Sequence, residues 1–169
     1  MTKQFFKRIT VVVGLTFLLT ACPYQSKVPI SDPNETIQSS LLGEWVSASE
    51  QEYEYPTFYV IEKHNDTKYK LTEKRYNTSD SVYKDVQYFM HSTTIKDNLF
   101  MNVQEAKGGD YSLYLFVQDQ NEIVRREVSE NIDEQFSSSK DLYKYVKKHM
   151  DLSFFYEKSE EKYYKRTIE

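Results

Sequence analysis

Apolar residues recur at every second position along most of the chain from Leu41 onward, in segments rich in Tyr, Phe, Val and Thr. A period of two with this composition is typical of half-buried strands. The pattern predicts strands over 42–49, 57–64, 68–76, 84–95, 98–105, 111–118 and 122–129. Short turns carrying Asn, Asp or Gly separate them. They favour antiparallel neighbours, because a parallel pair needs a crossover of about a dozen residues.

The pattern changes near residue 137, where three serines offer helix caps and Leu142, Val146 and Met150 follow at helical spacing. One helix of about a dozen residues is predicted there. Beyond it, residues 153–157 and 162–168 are interpreted as a final hairpin with a charged turn at 158–161.

These elements predict a mainly β fold: an antiparallel meander of about eight to nine strands closed into a barrel, with one helix on the C-terminal side. The alternative is a curled antiparallel sheet packed on a helix, which is an α+β fold. We favour the barrel because closure leaves no exposed strand edge for aggregation.

The first 21 residues have the features of an export signal. Three basic residues precede an apolar run, Ile9 to Leu19, which is too short for a permanent membrane-spanning helix. The run ends in Leu19-Thr20-Ala21-Cys22, which resembles the lipobox of bacterial lipoproteins. The resemblance implies cleavage before Cys22 and lipidation of its thiol.

Lipidation at Cys22 implies a membrane partner held through several acyl chains such as palmitate. Pro23 follows the cysteine, and in the lipoprotein family this implies the outer membrane, facing the periplasm, if the host is Gram-negative. Removal of the leader with its three basic residues leaves 19 basic and 26 acidic residues. An acidic chain has no polybasic attachment to a membrane surface, so the lipid is expected to be the anchor.

Residues 22–40 contain three of the four prolines and no hydrophobic periodicity. They are interpreted as a flexible tether that spans roughly 20–25 Å as a coil. The predicted organisation is therefore a signal peptide (1–21), a lipidated cysteine with its tether (22–40) and a single barrel domain (41–169).

Gly43-Glu44-Trp45 resembles the Gly-x-Trp opening of the lipocalin and fatty-acid-binding superfamily. Asp110-Tyr111-x-x-Tyr114 resembles part of the second lipocalin motif, although Gly109 stands where threonine is usual. The resemblance implies a barrel with Trp45 closing one end.

The same superfamily pattern implies an arginine near the end of the last strand before the helix. Arg126 alternates with Val124 and Val128, so we expect it, rather than Arg125, to point inward and stack on Trp45.

Composition excludes several kinds of chemistry. A net charge of −4 gives no electrostatic reason for nucleic-acid binding, and one cysteine cannot form a disulfide framework. His64, His91 and His149 lack metal-binding spacing, and the acidic run at 50–54 is interleaved with tyrosine and glutamine in a manner typical of a solvated loop. We therefore predict no catalytic residue, metal or cofactor, and the protein is not expected to be an enzyme.

Strand parity then predicts the inner wall of the barrel: Phe58, Val60, Tyr69, Leu71, Val86, Tyr88, Met90, Leu99, Met101, Val103, Tyr111, Leu113 and Leu115. From the parity and the resemblance, the candidate ligand-binding residues are Trp45, Tyr69, Tyr88, Met90, Met101, Tyr111 and Arg126.

Two functions are compatible with this wall. The first is a barrel that binds a small apolar or amphipathic, lipid-like molecule. The alternative is a filled barrel whose tyrosines, including Tyr53, Tyr55 and Tyr59, contact an envelope protein. A cavity of several hundred Å³ distinguishes them.

Overall fold

The computed structural model describes residues 24–129 and 132–166. The predicted signal peptide, the cleavage site and Cys22 lie outside these residues, so their assignments stay predictions.

Within the two ranges the chain forms nine strands, one α-helix and two short 3-10 helices. In chain order these are β1 (Gln25–Ser26), a 3-10 helix (Ser39–Leu41), β2 (Gly43–Ser47), β3 (Phe58–Lys63), β4 (Tyr69–Asn77), β5 (Val82–Ile95), β6 (Asn98–Glu105), β7 (Tyr111–Asp119), β8 (Glu122–Val128), α1 (Ser139–His149), a 3-10 helix (Ser153–Phe155) and β9 (Tyr156–Lys165). In these residues, no helix has the length and apolar content that crossing a membrane requires.

Strands β2 to β9 form a closed antiparallel barrel. Each strand pairs with the next along the chain, and β9 closes the ring by pairing with β2, where Trp45 faces Lys165. The short β1 adds to the free part of β7. The predicted mainly β barrel is thus confirmed, and closure excludes the curled sheet.

The two ends of the barrel differ. The β2–β3, β4–β5 and β6–β7 connections share one end, which we call the open end. The β3–β4, β5–β6 and β7–β8 turns share the opposite end, which we call the closed end.

The prediction of a final hairpin is wrong, because residues 156–165 form the single strand β9, which pairs with β8. Its charged middle remains extended because Arg125 faces Glu161 and Arg126 faces Glu160 across the strand pair. Opposite charges at facing positions stabilise a strand that its composition alone disfavours.

Residues 24–36, which belong to the segment interpreted as a flexible tether, pack as a strap on the outer face of the barrel. Ile30 is 0% exposed, and its N–H donates to the side-chain oxygen of Asn102 at 2.7 Å. Further along, the Glu35 carboxylate accepts from the backbone of Thr94 at 2.6 Å. Single buried residues between prolines hold the strap on the barrel. Such isolated residues show no hydrophobic periodicity in the sequence.

Two apolar cores lie on opposite sides of the sheet. The inner core fills the closed half of the barrel around Trp45, Tyr69 and Met101. The outer core is covered by the strap and by α1, which buries Leu142 and Val146. Several strands are therefore apolar on both faces.

Candidate functional site

A cavity of about 610 Å³ lies inside the barrel and opens at the open end. Its volume falls within the range of about 300–1,000 Å³ typical of small-molecule sites. The inner residues of β2 to β9 form its wall, and Gln25, Glu105, Asp110 and Ser112 lie at its mouth.

A plug, residues 37–42, crosses the closed end. The Ile37 N–H donates to the carbonyl of Asp66 on one side, and the Ser40 hydroxyl donates to Gln118 on the other. The Trp45 indole N–H donates to the carbonyl of the fully buried Leu41 at 2.9 Å. Trp45 thus closes this end of the barrel together with the plug.

Glycine is required at position 43, where the chain leaves the plug and enters β2. Gly43 has φ of +129°, a backbone conformation that residues with a side chain rarely adopt. The Lys165 ammonium lies 5.5 Å from the Trp45 ring centroid. A lysine of the last barrel strand therefore occupies the position expected of an arginine.

The lower wall of the cavity, toward the plug, is apolar. It consists of Trp45, Ile61, Leu71, Met90, Val103, Phe116 and Ile123. An apolar wall of this kind binds the hydrocarbon part of a ligand without directional contacts.

The upper wall carries a buried carboxylate, Glu73. It accepts from Nε and Nη2 of Arg75 at 2.7 and 2.8 Å and from the hydroxyls of Tyr59 and Tyr88 at 3.2 Å each. Burial, reinforced by this carboxylate, raises the pKa of Tyr88 to about 12 and raises that of Tyr59 further. Both phenols therefore stay protonated and donate hydrogen bonds.

Arg125 lies opposite, between two aromatic rings. Its guanidinium carbon is 4.8 Å from the Tyr114 centroid and 5.3 Å from the Tyr163 centroid, and it pairs with Glu161. Burial lowers the pKa of Arg125, but Tyr163, Tyr114 and Glu161 outweigh it and the net direction is upward. The upper cavity thus holds a permanent cation on aromatic faces.

The candidate ligand-binding residues are only partly brought together. Trp45, Tyr88 and Met90 line the cavity. Tyr69 and Met101 belong to the inner core below it, where the Tyr69 hydroxyl accepts from the Gln38 N–H at 2.7 Å.

Tyr111 and Arg126 face outward, which corrects their predicted placement. Tyr111 packs against the outer core, and the Arg126 guanidinium lies 4.4 Å from the Tyr156 ring, outside the cavity. Arg126 therefore does not stack on Trp45, and of the two neighbouring arginines Arg125 is the one that points inward.

The predicted inward faces of β3 and β7 are also wrong. Tyr59, Ile61, Tyr114 and Phe116 line the cavity, whereas Leu113 and Leu115 belong to the outer core. Phe58 and Val60 consequently face outward together with them.

Glu73, Arg75 and Arg125 are not among the candidate ligand-binding residues that the sequence predicts. A signal for the first two was present, because they continue the inward series of Tyr69 and Leu71 at a period of two. Over residues 24–129 and 132–166, no group of three or more histidine, cysteine or acidic residues has the arrangement to hold a metal ion.

Comparison of the chain with protein-family models, with curated proteins and with solved structures found no match. The geometry and chemistry of the cavity are therefore the basis for assigning a function.

Proposed function

We propose that this protein is a membrane-anchored lipoprotein that binds one small amphipathic molecule inside its barrel. The observation that carries the proposal is the cavity of about 610 Å³, closed at one end by the plug and accessible at the other. A filled barrel, which the alternative function requires, leaves no such volume.

The distribution of polarity supports an amphipathic ligand. Hydrocarbon fits the lower wall around Ile61, Met90 and Phe116, while the polar part of the ligand lies near Arg125 and Glu73. Each charge already has a partner, so the polar groups orient the ligand and apolar contact supplies most of the affinity.

Membrane attachment is proposed from the lipobox at Cys22, with the periplasmic face of the outer membrane as the site in a Gram-negative host. A lipocalin relationship is proposed from Gly43 and Trp45 beneath a crossing 3-10 helix. The order of elements differs from that family, since α1 precedes the last barrel strand instead of following the eighth.

The test uses unlipidated residues 23–169, which retain strap and plug. Organic extraction of the purified protein and titration with a fluorescent fatty acid and a lysophospholipid should reveal bound or saturable ligand. Absence of both below about 100 μM, where binding is worth only about −5.5 kcal/mol, rejects the carrier function. The envelope-interaction alternative would then lead.

A matched pair of variants localises the binding. Val103→Trp places a large ring in the cavity, whereas Val117→Trp places it on the exposed outer face of β7. We expect at least a tenfold loss of affinity, about 1.4 kcal/mol, for the first variant alone. Equal affinities in two variants with wild-type urea midpoints would place any binding outside the barrel.

A further inference from the structure

The strap begins at the mouth of the cavity. Gln25 pairs with Ser112 at the start of β7, and its side-chain amide donates to the Ser112 hydroxyl at 2.9 Å. Both residues lie at the cavity mouth. The chain therefore reaches the folded protein at the open end.

Tyr24 fixes the chain immediately before this point. Its side chain is buried, its N–H donates to the carbonyl of Val128 at 3.3 Å, and its hydroxyl donates to the carbonyl of Glu134 at 3.0 Å. One residue, Pro23, lies between Cys22 and Tyr24, so the two Cα atoms are at most about 7 Å apart at full extension. A lipid on Cys22 is thus attached beside the cavity mouth.

Exposed apolar side chains surround the same end. Tyr53 and Tyr55 lie in the β2–β3 loop, Val82 lies beside the β4–β5 turn, and Phe154 lies two residues before β9 begins. Tyr55 stacks on Tyr76 with ring centroids 4.1 Å apart. Amphipathic aromatic rings of this kind are favoured at the boundary between lipid and water.

Charge on this end selects the lipid. Glu52 and Glu54 alternate with the exposed tyrosines, and Glu105 and Asp110 lie at the mouth. Glu105 pairs with Lys107 at 3.1 Å, and the remaining carboxylates repel an anionic surface. A zwitterionic bilayer is the surface that fits both the aromatic rings and the charge.

We propose that the open end of the barrel faces the bilayer, held there by the short connection through Pro23 to lipidated Cys22, so that the cavity exchanges its amphipathic ligand directly with the membrane. The proposal rests on the proposed lipidation. It commits to a zwitterionic lipid surface as the partner of the open end.

Two matched valines test the orientation. Val82→Cys introduces a thiol at the open end and Val117→Cys introduces one near the closed end, at sites that are 47% and 53% exposed in the native protein. Each thiol is labelled with a fluorophore in the full lipidated chain, where Cys22 is blocked by its lipid. The chain is then reconstituted in phosphatidylcholine vesicles that contain a nitroxide-labelled phospholipid.

We expect the label at position 82 to be quenched several-fold more than the label at 117. Insertion of about 20 Gly/Ser residues after Cys22, a coil of about 25 Å, should reduce the quenching at 82. Equal quenching, stronger quenching at 117 or an unchanged signal after the insertion would overturn the proposal. Flotation of the same samples is read separately, because loss of vesicle binding itself rejects the lipoprotein function and not the orientation.

Discussion

Replacement of Ile30 by alanine tests whether the strap is part of the folded domain. The side chain is 0% exposed in the outer core, near Phe100 and Leu113. Loss of three buried carbons at about 0.8 kcal/mol each gives about 2.4 kcal/mol. The space left behind raises the expected loss of unfolding free energy to about 3–4 kcal/mol.

Urea unfolding of residues 23–169 measures this loss. With a slope of about 2 kcal/mol per M, the midpoint should fall by roughly 1.5–2 M. Val117→Ala is the matched control, because Val117 is an exposed β-branched residue and its truncation should cost less than about 0.5 kcal/mol. A loss below about 0.5 kcal/mol for Ile30→Ala would mean that the strap is detached in solution, as expected of a flexible tether.

Arg125→Ala should weaken ligand binding about tenfold in the fluorescence titration, whereas Arg126→Ala should leave it within twofold, and the reverse order would refute the assignment of the inner arginine. Trp45→Ala should lower the unfolding free energy by about 3–5 kcal/mol, measured with urea by circular dichroism. Burial lowers the pKa of His91, so as the pH falls the unfolded chain is protonated at this residue before the folded protein is. The unfolding free energy should therefore decrease as the pH drops below about 6.5. The decrease between about pH 7.5 and 5.5 should be smaller in His91→Gln. Cys22→Ala should release the protein from the membrane fraction, and retention after a high-salt wash would exclude the lipid anchor.

The barrel could be predicted because its strands show a hydrophobic period of two and its turns are short. The side of the sheet that each residue faces could not be predicted in the same way. On β7, Leu113 and Leu115 lie in the outer core while Tyr114 and Phe116 line the cavity. Both alternating sets are apolar, so periodicity gives the strand and cannot give its inner face. On β4 the outer positions are mainly polar, and there the parity of Tyr69 and Leu71 was correct.

The strap and β9 show two further limits of pattern reading. Ile30 is held by its own burial and by one hydrogen bond to Asn102, 72 positions away, which no local period reveals. The charged middle of β9 is extended because its partners lie on β8, about 35 positions earlier. Both segments derive their conformation from tertiary contacts that composition does not display.

Ring closure between β2 and β9 has a consequence for the time course of folding. Trp45 can pair with Lys165 only after nearly the whole chain is available. One edge of β2 therefore stays unpaired until β9 is present. Contacts at such sequence separation fold slowly, because the entropy of closing the loop is lost before the pairing is gained. A chain that emerges N-terminus first therefore exposes the edge of β2 until residue 165 has also emerged. The chain is most vulnerable to aggregation during this interval.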